Sequence, residues 1–132
     1  MRKPIIAGNW KMNKTPKEAR ELVEALKPLV KDAKATVVVC VPAVDIAAAA
    51  EAAKGSKIQV GAQNVHFKES GAYTGELSAA MLKEAGATYV IIGHSERRQY
   101  FGETDETVNL RARAAIAAGL VTFLSLGRKL LW

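Results

Sequence analysis

The sequence predicts an α/β fold built on one parallel sheet. Short runs rich in Val and Ile alternate with longer segments whose apolar residues recur at helical spacing. Strand starts near residues 5, 36, 58, 88 and 121 leave 22 to 33 residues between neighbours, enough for a crossover helix each time. No Pro-, Gly- or Ser-rich linker interrupts the alternation, so the order is four βα units and a final strand. Crossovers of this kind are right-handed, because a right-twisted strand feeding a right-handed helix packs back onto the sheet only that way.

Taken in order, Ile5 to Trp10 reads as the first strand. A helix over Pro16 to Lys31 follows, with Leu22, Ala25, Leu26, Leu29 and Val30 on one stripe. Thr15 suits its N-cap, Pro16 its first position, and Glu18 completes a Thr-x-x-Glu capping box. Thr36 to Val41 is apolar after its threonine, as in a strand buried on both faces. An alanine-rich helix spans Val44 to Lys54 and stops at Gly55, and Ile58 to Ala62 is the third strand. Gln63 to Gly75 has little periodicity. Leu77 to Ala85 is helical up to Gly86, and Thr88 to Gly93 is the fourth strand. A short helix covers Glu96 to Tyr100, a longer one Thr104 to Ala118, and Val121 to Leu126 is the fifth strand after Gly119. Periodicity alone fits either an open flavodoxin-like sheet or part of a (β/α) barrel. The open sheet lacks the expected phosphate loops, since neither GxGxxG after the first strand nor GxxxxGK[ST] occurs.

At 132 residues the chain suits one domain and is short for a complete (β/α)8 barrel, which needs ~250. A single cysteine, Cys40, excludes an internal disulfide framework and is compatible with a reducing compartment. The longest uncharged stretch near the end, Ala114 to Gly127, is shorter than the ~20 apolar residues of a membrane span. Met1-Arg2-Lys3-Pro4 is basic, but Asn9 and Lys11 break the apolar run of a signal peptide, so a cytoplasmic protein without a membrane partner is expected. The net charge of +6 comes from bases interleaved with acids, as in Lys17-Glu18-Ala19-Arg20-Glu21. That pattern argues against nucleic acid as a partner and suits attraction of a small anion.

Chemistry is expected at the C-terminal strand ends, which gather on one face in parallel α/β folds. They carry Asn9, Trp10 and Lys11, then Gln63 and Asn64, then His94, Ser95 and Glu96. An amide, an ammonium and an imidazole together could polarise a carbonyl and stabilise charge developing on oxygen. Singly, each has a plainer role: Lys11 solvated, His94 structural, Asn9 forming a turn. Ser95-Glu96-Arg97-Arg98 could be a helix cap, although its arginines sit poorly at a positive helix terminus.

Several longer motifs occur together: Ala7-Gly8-Asn9-Trp10-Lys11-Met12-Asn13, Gln63-Asn64-Val65, Gly71-Ala72-Tyr73-Thr74-Gly75-Glu76, Ile92-Gly93-His94-Ser95-Glu96-Arg97-Arg98 and Phe101-Gly102-Glu103-Thr104-Asp105-Glu106. In that order and spacing the chain closely resembles the triosephosphate isomerase family over residues 1 to 127, the first half of that family. The resemblance implies a (βα)4-β half of a (β/α)8 barrel and a glycolytic and gluconeogenic enzyme. Its reaction interconverts dihydroxyacetone phosphate and glyceraldehyde 3-phosphate through an enediol. Asn9 and Lys11 match the family's substrate-binding asparagine and lysine, and Lys11 would stabilise the enediolate. His94 matches the family's neutral electrophilic histidine; the family is itself the standard illustration of a histidine kept neutral at a helix N-terminus. Glu96 would orient Lys11 and its neighbours. The resemblance implies no cofactor and no metal. It also implies an intersubunit loop over Gln63 to Gly75, with Thr74 reaching a second subunit.

The resemblance has limits. Val41-Pro42-Ala43 departs mildly from the family's double proline and aromatic. Ser125 stands where the family usually has cysteine, and Gly127-Arg128 where it has Gly-Glu. The tail Arg128-Lys129-Leu130-Leu131-Trp132 is unlike the family's acidic helix start, so one domain is expected over 1 to 132, family-like to 127. The family's glutamate base follows the sixth strand and has no match here, and the phosphate loops lie later still. Weak or no activity is therefore expected unless oligomerisation supplies a substitute base; Glu103 is an acidic residue near the strand-end face and is not assigned that role. A half barrel would leave the first and fifth strands as open edges. A homodimer or higher homo-oligomer is expected, with Leu130, Leu131 and Trp132 at the contact. The alternative function is a catalytically inactive, self-assembling α/β fragment.

Overall fold

The computed structural model describes residues 3–125. Five strands form one sheet: β1 (Ile5–Asn9), β2 (Thr36–Val41), β3 (Ile58–Ala62), β4 (Tyr89–Ile92) and β5 (Val121–Leu124). Every pairing is parallel, and the spatial order is β1-β2-β3-β4-β5. The order decides between the two architectures left open by periodicity. A flavodoxin-like sheet has the order 2-1-3-4-5, with the winding reversed beside its first strand. Here every strand lies beside its predecessor, the winding never reverses, and the sheet curls as a half barrel. The open flavodoxin-like alternative is thereby corrected.

The helices are α1 (Pro16–Val30), α2 (Ile46–Ala53), α3 (Ala79–Ala85), α4 (Ser95–Tyr100) and α5 (Asp105–Ala117). The capping box forms at α1, where Thr15 Oγ1 accepts from the Glu18 amide at 3.3 Å and Glu18 Oε1 accepts from the Thr15 amide at 3.0 Å. These bonds from Thr15 hold the Glu18 carboxyl below the usual carboxylate range. The helix closes at Val30, two residues after Pro28, which supplies no amide hydrogen.

The alanine-rich segment begins differently from its expected helix. A single 3-10 turn covers Ala43–Asp45, with the Asp45 amide on the Pro42 carbonyl at 2.8 Å, and α2 starts only at Ile46. Ser78 shortens α3, because its side chain caps the Met81 amide at 3.2 Å and leaves Leu77 outside the helix. Gly86 ends α3 at φ +118, a value that L side chains rarely adopt. The fifth strand stops at Leu124, although the Ser125 amide still reaches the Ile92 carbonyl at 2.9 Å. Leu126 and the tail of 128–132, with the expected contact residues Leu130, Leu131 and Trp132, lie outside the described residues.

The core lies between the central strands and the helices. Val39, Val41, Ile58, Val60, Val90 and Ile92 from the sheet meet Val23, Ile46, Leu82 and Val108 from the helices. Each such aliphatic side chain contributes about 1.5–3 kcal/mol when fully buried. Small residues set the spacing: Ala48, Ala49, Ala52 and Ala53 are the buried alanines of α2, and they let it approach α1 and β3. Cys40 is fully buried in β2, and burial pushes its thiol up to about 11.

The edges differ from this interior. Among the described residues β1 pairs only with β2, and β5 only with β4. Ile6 on β1 is 63% exposed, and Val121 and Leu124 on β5 are each 48% exposed. No helix among the described residues is long and apolar enough to cross a membrane.

Candidate active site

The parallel sheet brings the C-terminal ends of β1, β3 and β4 to one rim. After β1 the chain turns sharply, with Lys11 in the left-handed region at φ 55, uncommon for a residue with a side chain. Two contacts hold that conformation. The Lys11 amide donates to Asn9 Oδ1 at 2.9 Å, and the Lys11 carbonyl accepts from Gln63 Nε2 at 2.9 Å. The same Gln63 amide donates to the Cys40 carbonyl at 3.1 Å and to Asn9 Oδ1 at 3.3 Å. One side chain beyond β3 thus ties the ends of β1 and β2. Asn9 does form a turn, and its oxygen is used in forming it.

The second half of the site follows β4. Gly93 adopts φ +72 with Val108 packed against it: an added Cβ would lie 3.0 Å from Val108 Cγ1. The turn delivers His94 to the N-cap of α4, where Nδ1 accepts the Glu96 amide at 3.1 Å. Nδ1 also lies 3.6 Å from Glu96 Oε1, which would make an ion pair only with a proton on Nδ1. The amide always carries its hydrogen, so Nδ1 is the bare nitrogen and Nε2 the protonated one. Glu96 then reaches across the rim, its Oε2 2.8 Å from Lys11 Nζ. One carboxylate therefore stands between the ammonium and the imidazole. The hydrogen bond from Lys11 holds the Glu96 carboxyl below the usual range, with desolvation opposing it and the charge of Lys11 adding to it.

This arrangement can present a positive and a neutral hydrogen-bond donor to an anionic oxygen. Among the described residues no three His, Cys, Asp or Glu side chains assemble as a metal-holding group. The family model for triosephosphate isomerase matches residues 4–131. The chain belongs to the triosephosphate isomerase family. Triosephosphate isomerase of Clostridium botulinum (strain Loch Maree / Type A3) is 64% identical over 130 residues, covering 98% of this chain and 52% of that protein. The Synechocystis sp. (strain ATCC 27184 / PCC 6803 / Kazusa) triosephosphate isomerase is 58% identical over 129 residues, 96% of this chain and 53% of its own length. A crystal structure of triosephosphate isomerase from Bartonella henselae superposes with a TM-score of 0.90 at 44% identity, over 96% of this chain and 53% of that one. The chain thus spans about half the length of the curated relatives it matches, and its five strands correspond to half of their barrel.

Of the other sequence-predicted positions, Thr74 lies exposed at the tip of the long loop, in a turn closed by the Glu76 amide on the Tyr73 carbonyl at 2.9 Å. Glu103 is not a rim carboxylate. Its side chain is 3% exposed, ion-paired with Arg97 and 3.8 Å from Arg111 Nε. The arginines that looked misplaced at the start of α4 find anions just downstream: Arg97 pairs with Glu103 in the connection to α5, and Arg98 Nη1 donates to Asp105 at the start of α5 at 2.7 Å.

Sequence reasoning missed Arg111. Its Nη1 donates to Asn64 Oδ1 at 2.9 Å, the Val65 carbonyl at 2.7 Å and Glu76 Oε1 at 3.4 Å, clasping both stems of the long loop. A signal was present, because Arg111 falls on the same buried stripe of α5 as Val108 and Ala115. A charge at an apolar phase of a helix needs buried partners.

The Lys11–Glu96 pair makes a pH prediction. Its carboxylate is depressed, so the pair's contribution is complete above the ordinary value of 4.5 and is lost as pH falls through the lower folded value. In a carboxyl-resolved NMR titration Glu96 should have its midpoint below 4.5, and Lys11→Met should move that midpoint upward.

Proposed function

We propose that the Lys11–Glu96–His94 cluster is the electrophilic half of a triosephosphate isomerase site. Its substrates are dihydroxyacetone phosphate and glyceraldehyde 3-phosphate. In the proposed reaction a base removes a proton from the carbon beside the carbonyl, and the C–H electron pair shifts to leave negative charge on the carbonyl oxygen. Lys11 and the Nε2–H of His94 stabilise that enediolate, with Asn9 contributing to substrate binding. His94 gives its Nε2 proton to one oxygen and takes one from the neighbouring hydroxyl, so its own proton count is restored. The base then returns its proton to the carbon that bore the carbonyl, which forms the new C–H bond as the carbonyl forms at the other carbon. Glu96 positions Lys11 and contributes no proton. The observation that carries this reading is the single carboxylate, 2.8 Å from Lys11 Nζ and 3.6 Å from His94 Nδ1.

Neither carboxylate in this region is assigned the proton abstraction. Glu96 is held by Lys11, and Glu103 is buried against two arginines. A positioned base contributes ~10²–10⁴ in rate, so weak or no turnover is expected of the 132-residue chain alone. A second reading rests on the apolar side chains Ile5, Ile6, Val121 and Leu124 exposed on the edge strands. It takes residues 1–132 as one half-barrel unit that associates with copies of itself, in a homodimer or higher oligomer, without catalysis. Thr74 is the residue proposed to reach a second subunit, and a cytoplasmic location accompanies both readings.

Two measurements separate these readings. In a coupled assay, turnover of glyceraldehyde 3-phosphate should fall by ~10²–10³ in His94→Ala and substantially in Lys11→Ala. Turnover unchanged by both substitutions would contradict the catalytic proposal and indicate a host isomerase, whereas no turnover from a well-folded oligomer would favour self-association without catalysis. Light scattering should find a dimer or larger species. A monodisperse monomer would overturn the association.

A further inference from the structure

We infer that a cleft at the opposite end of the sheet from His94 binds a small organic phosphate ester. The cleft has a volume of ≈ 490 Å³ and is lined by Lys27, Pro28, Lys31, Gly55, Ser56 and Lys57. That size falls within the range of small-molecule sites. Lys27 and Pro28 lie in the last turns of α1, Lys31 follows that helix, and Lys57 immediately precedes β3. The cleft therefore sits at the N-terminal strand ends, separate from the rim that carries Lys11 and His94.

Sequence spacing does not reveal this cluster, because Lys57 is far from the other two lysines in the chain. Folding brings three lysines to the lining of one concavity, and no lining residue is acidic. Local structure uses only part of that charge. Lys27 Nζ lies 3.3 Å from Glu24 Oε1, and Lys57 Nζ donates to the Ala33 carbonyl at 3.2 Å. Lys31 makes no ion pair among the described residues, and it is exposed. A carbonyl partner does not compensate the charge of Lys57, so among the described residues only Lys27 of these three lysines has a carboxylate partner.

The chemistry of the lining selects the ligand class. Three lysines lining one cleft suit an anion with more than one charge, since a lysine ammonium can donate charge-assisted hydrogen bonds to phosphate oxygens. The ring of Pro28 and the methylene stems of the lysines supply an apolar wall beside those charges, which suits an organic body attached to the phosphate. A finite cleft favours a small ester over a long polyanion, which would need a continuous basic track. This inference is independent of the proposed isomerase chemistry.

The test is an amide-resolved NMR titration of the 132-residue chain with three probes: adenosine diphosphate, inorganic pyrophosphate and single-stranded oligothymidylate. Adenosine diphosphate should give saturable shifts at Gly55, Ser56 and Lys57 that leave the His94 region unmoved, and it should bind more tightly than pyrophosphate. Lys31→Glu, and separately Lys57→Ala, should weaken it about tenfold or more. Both lysines are exposed, and unchanged His94-region signals would verify that each variant is folded. Non-saturating shifts spread over all lysines, or equal affinity in both variants, would overturn the site. Pyrophosphate binding as tightly as the nucleotide would overturn the role of the organic body. Tighter binding of oligothymidylate through the same residues would replace the small ligand with a nucleic-acid strand.

Discussion

The rim chemistry depends on one constraint: the strands pair in parallel and in chain order. Because each strand lies against its predecessor, every βα turn opens on the same side of the sheet. Lys11 and Glu96, 85 positions apart in the chain, come within 2.8 Å because the sheet also curls and the turns at Lys11 and Gly93 direct both onto the rim. The register is equally important. Asn9 lies level with Cys40, and Val41 with Ala62, so the ends of β1, β2 and β3 are close enough for one Gln63 amide to bond to Asn9, Lys11 and Cys40. A slip of one residue would send these side chains to the other face of the sheet.

Charge is handled differently at the rim and beneath it. At the rim, Lys11 and Glu96 remain partly exposed, with side chains 53% and 43% accessible, so their pairing sets position more than stability. Beneath it, Arg111 and Glu103 are almost fully covered, and buried charges are tolerated only with partners. Arg111 finds Asn64, Val65 and Glu76, while Glu103 finds Arg97 on the helix that starts at His94. The buried network thereby joins the long loop, α4 and α5 behind the residues of the rim. Removing Arg111 would leave the Val65 carbonyl and Asn64 Oδ1 without their shared donor, while Glu103 would keep Arg97.

Much of the fold was legible because local rules and tertiary packing agreed. Thr15, Pro16 and Glu18 announce the start of α1, and β2 and β3 occupy the expected residues. The half-barrel curl was not legible from periodicity, which is blind to strand order; the family motifs carried that expectation. The start of α2 moved because the 3-10 turn after Pro42 satisfies the Asp45 amide before an α-helix can begin. At the site, Asn9, Lys11, His94 and Glu96 stand at strand ends, where topology makes convergence foreseeable. Glu103 was misjudged because nearness in sequence to a strand end says nothing of burial. Arg111 and Lys57 escaped notice because their partners are distant in the chain.

The rim chemistry turns on His94 capping α4 through Nδ1 and thereby keeping its proton on Nε2, beside the Lys11–Glu96 pair. Nitrogen-15 NMR of the imidazole reads that tautomer directly. At neutral pH the spectrum should show a protonated Nε2 and a bare Nδ1, with Nδ1 sensing the Glu96 amide. A ring protonated at Nδ1, or on both nitrogens, would contradict the cap and remove the neutral donor on which the rim chemistry depends.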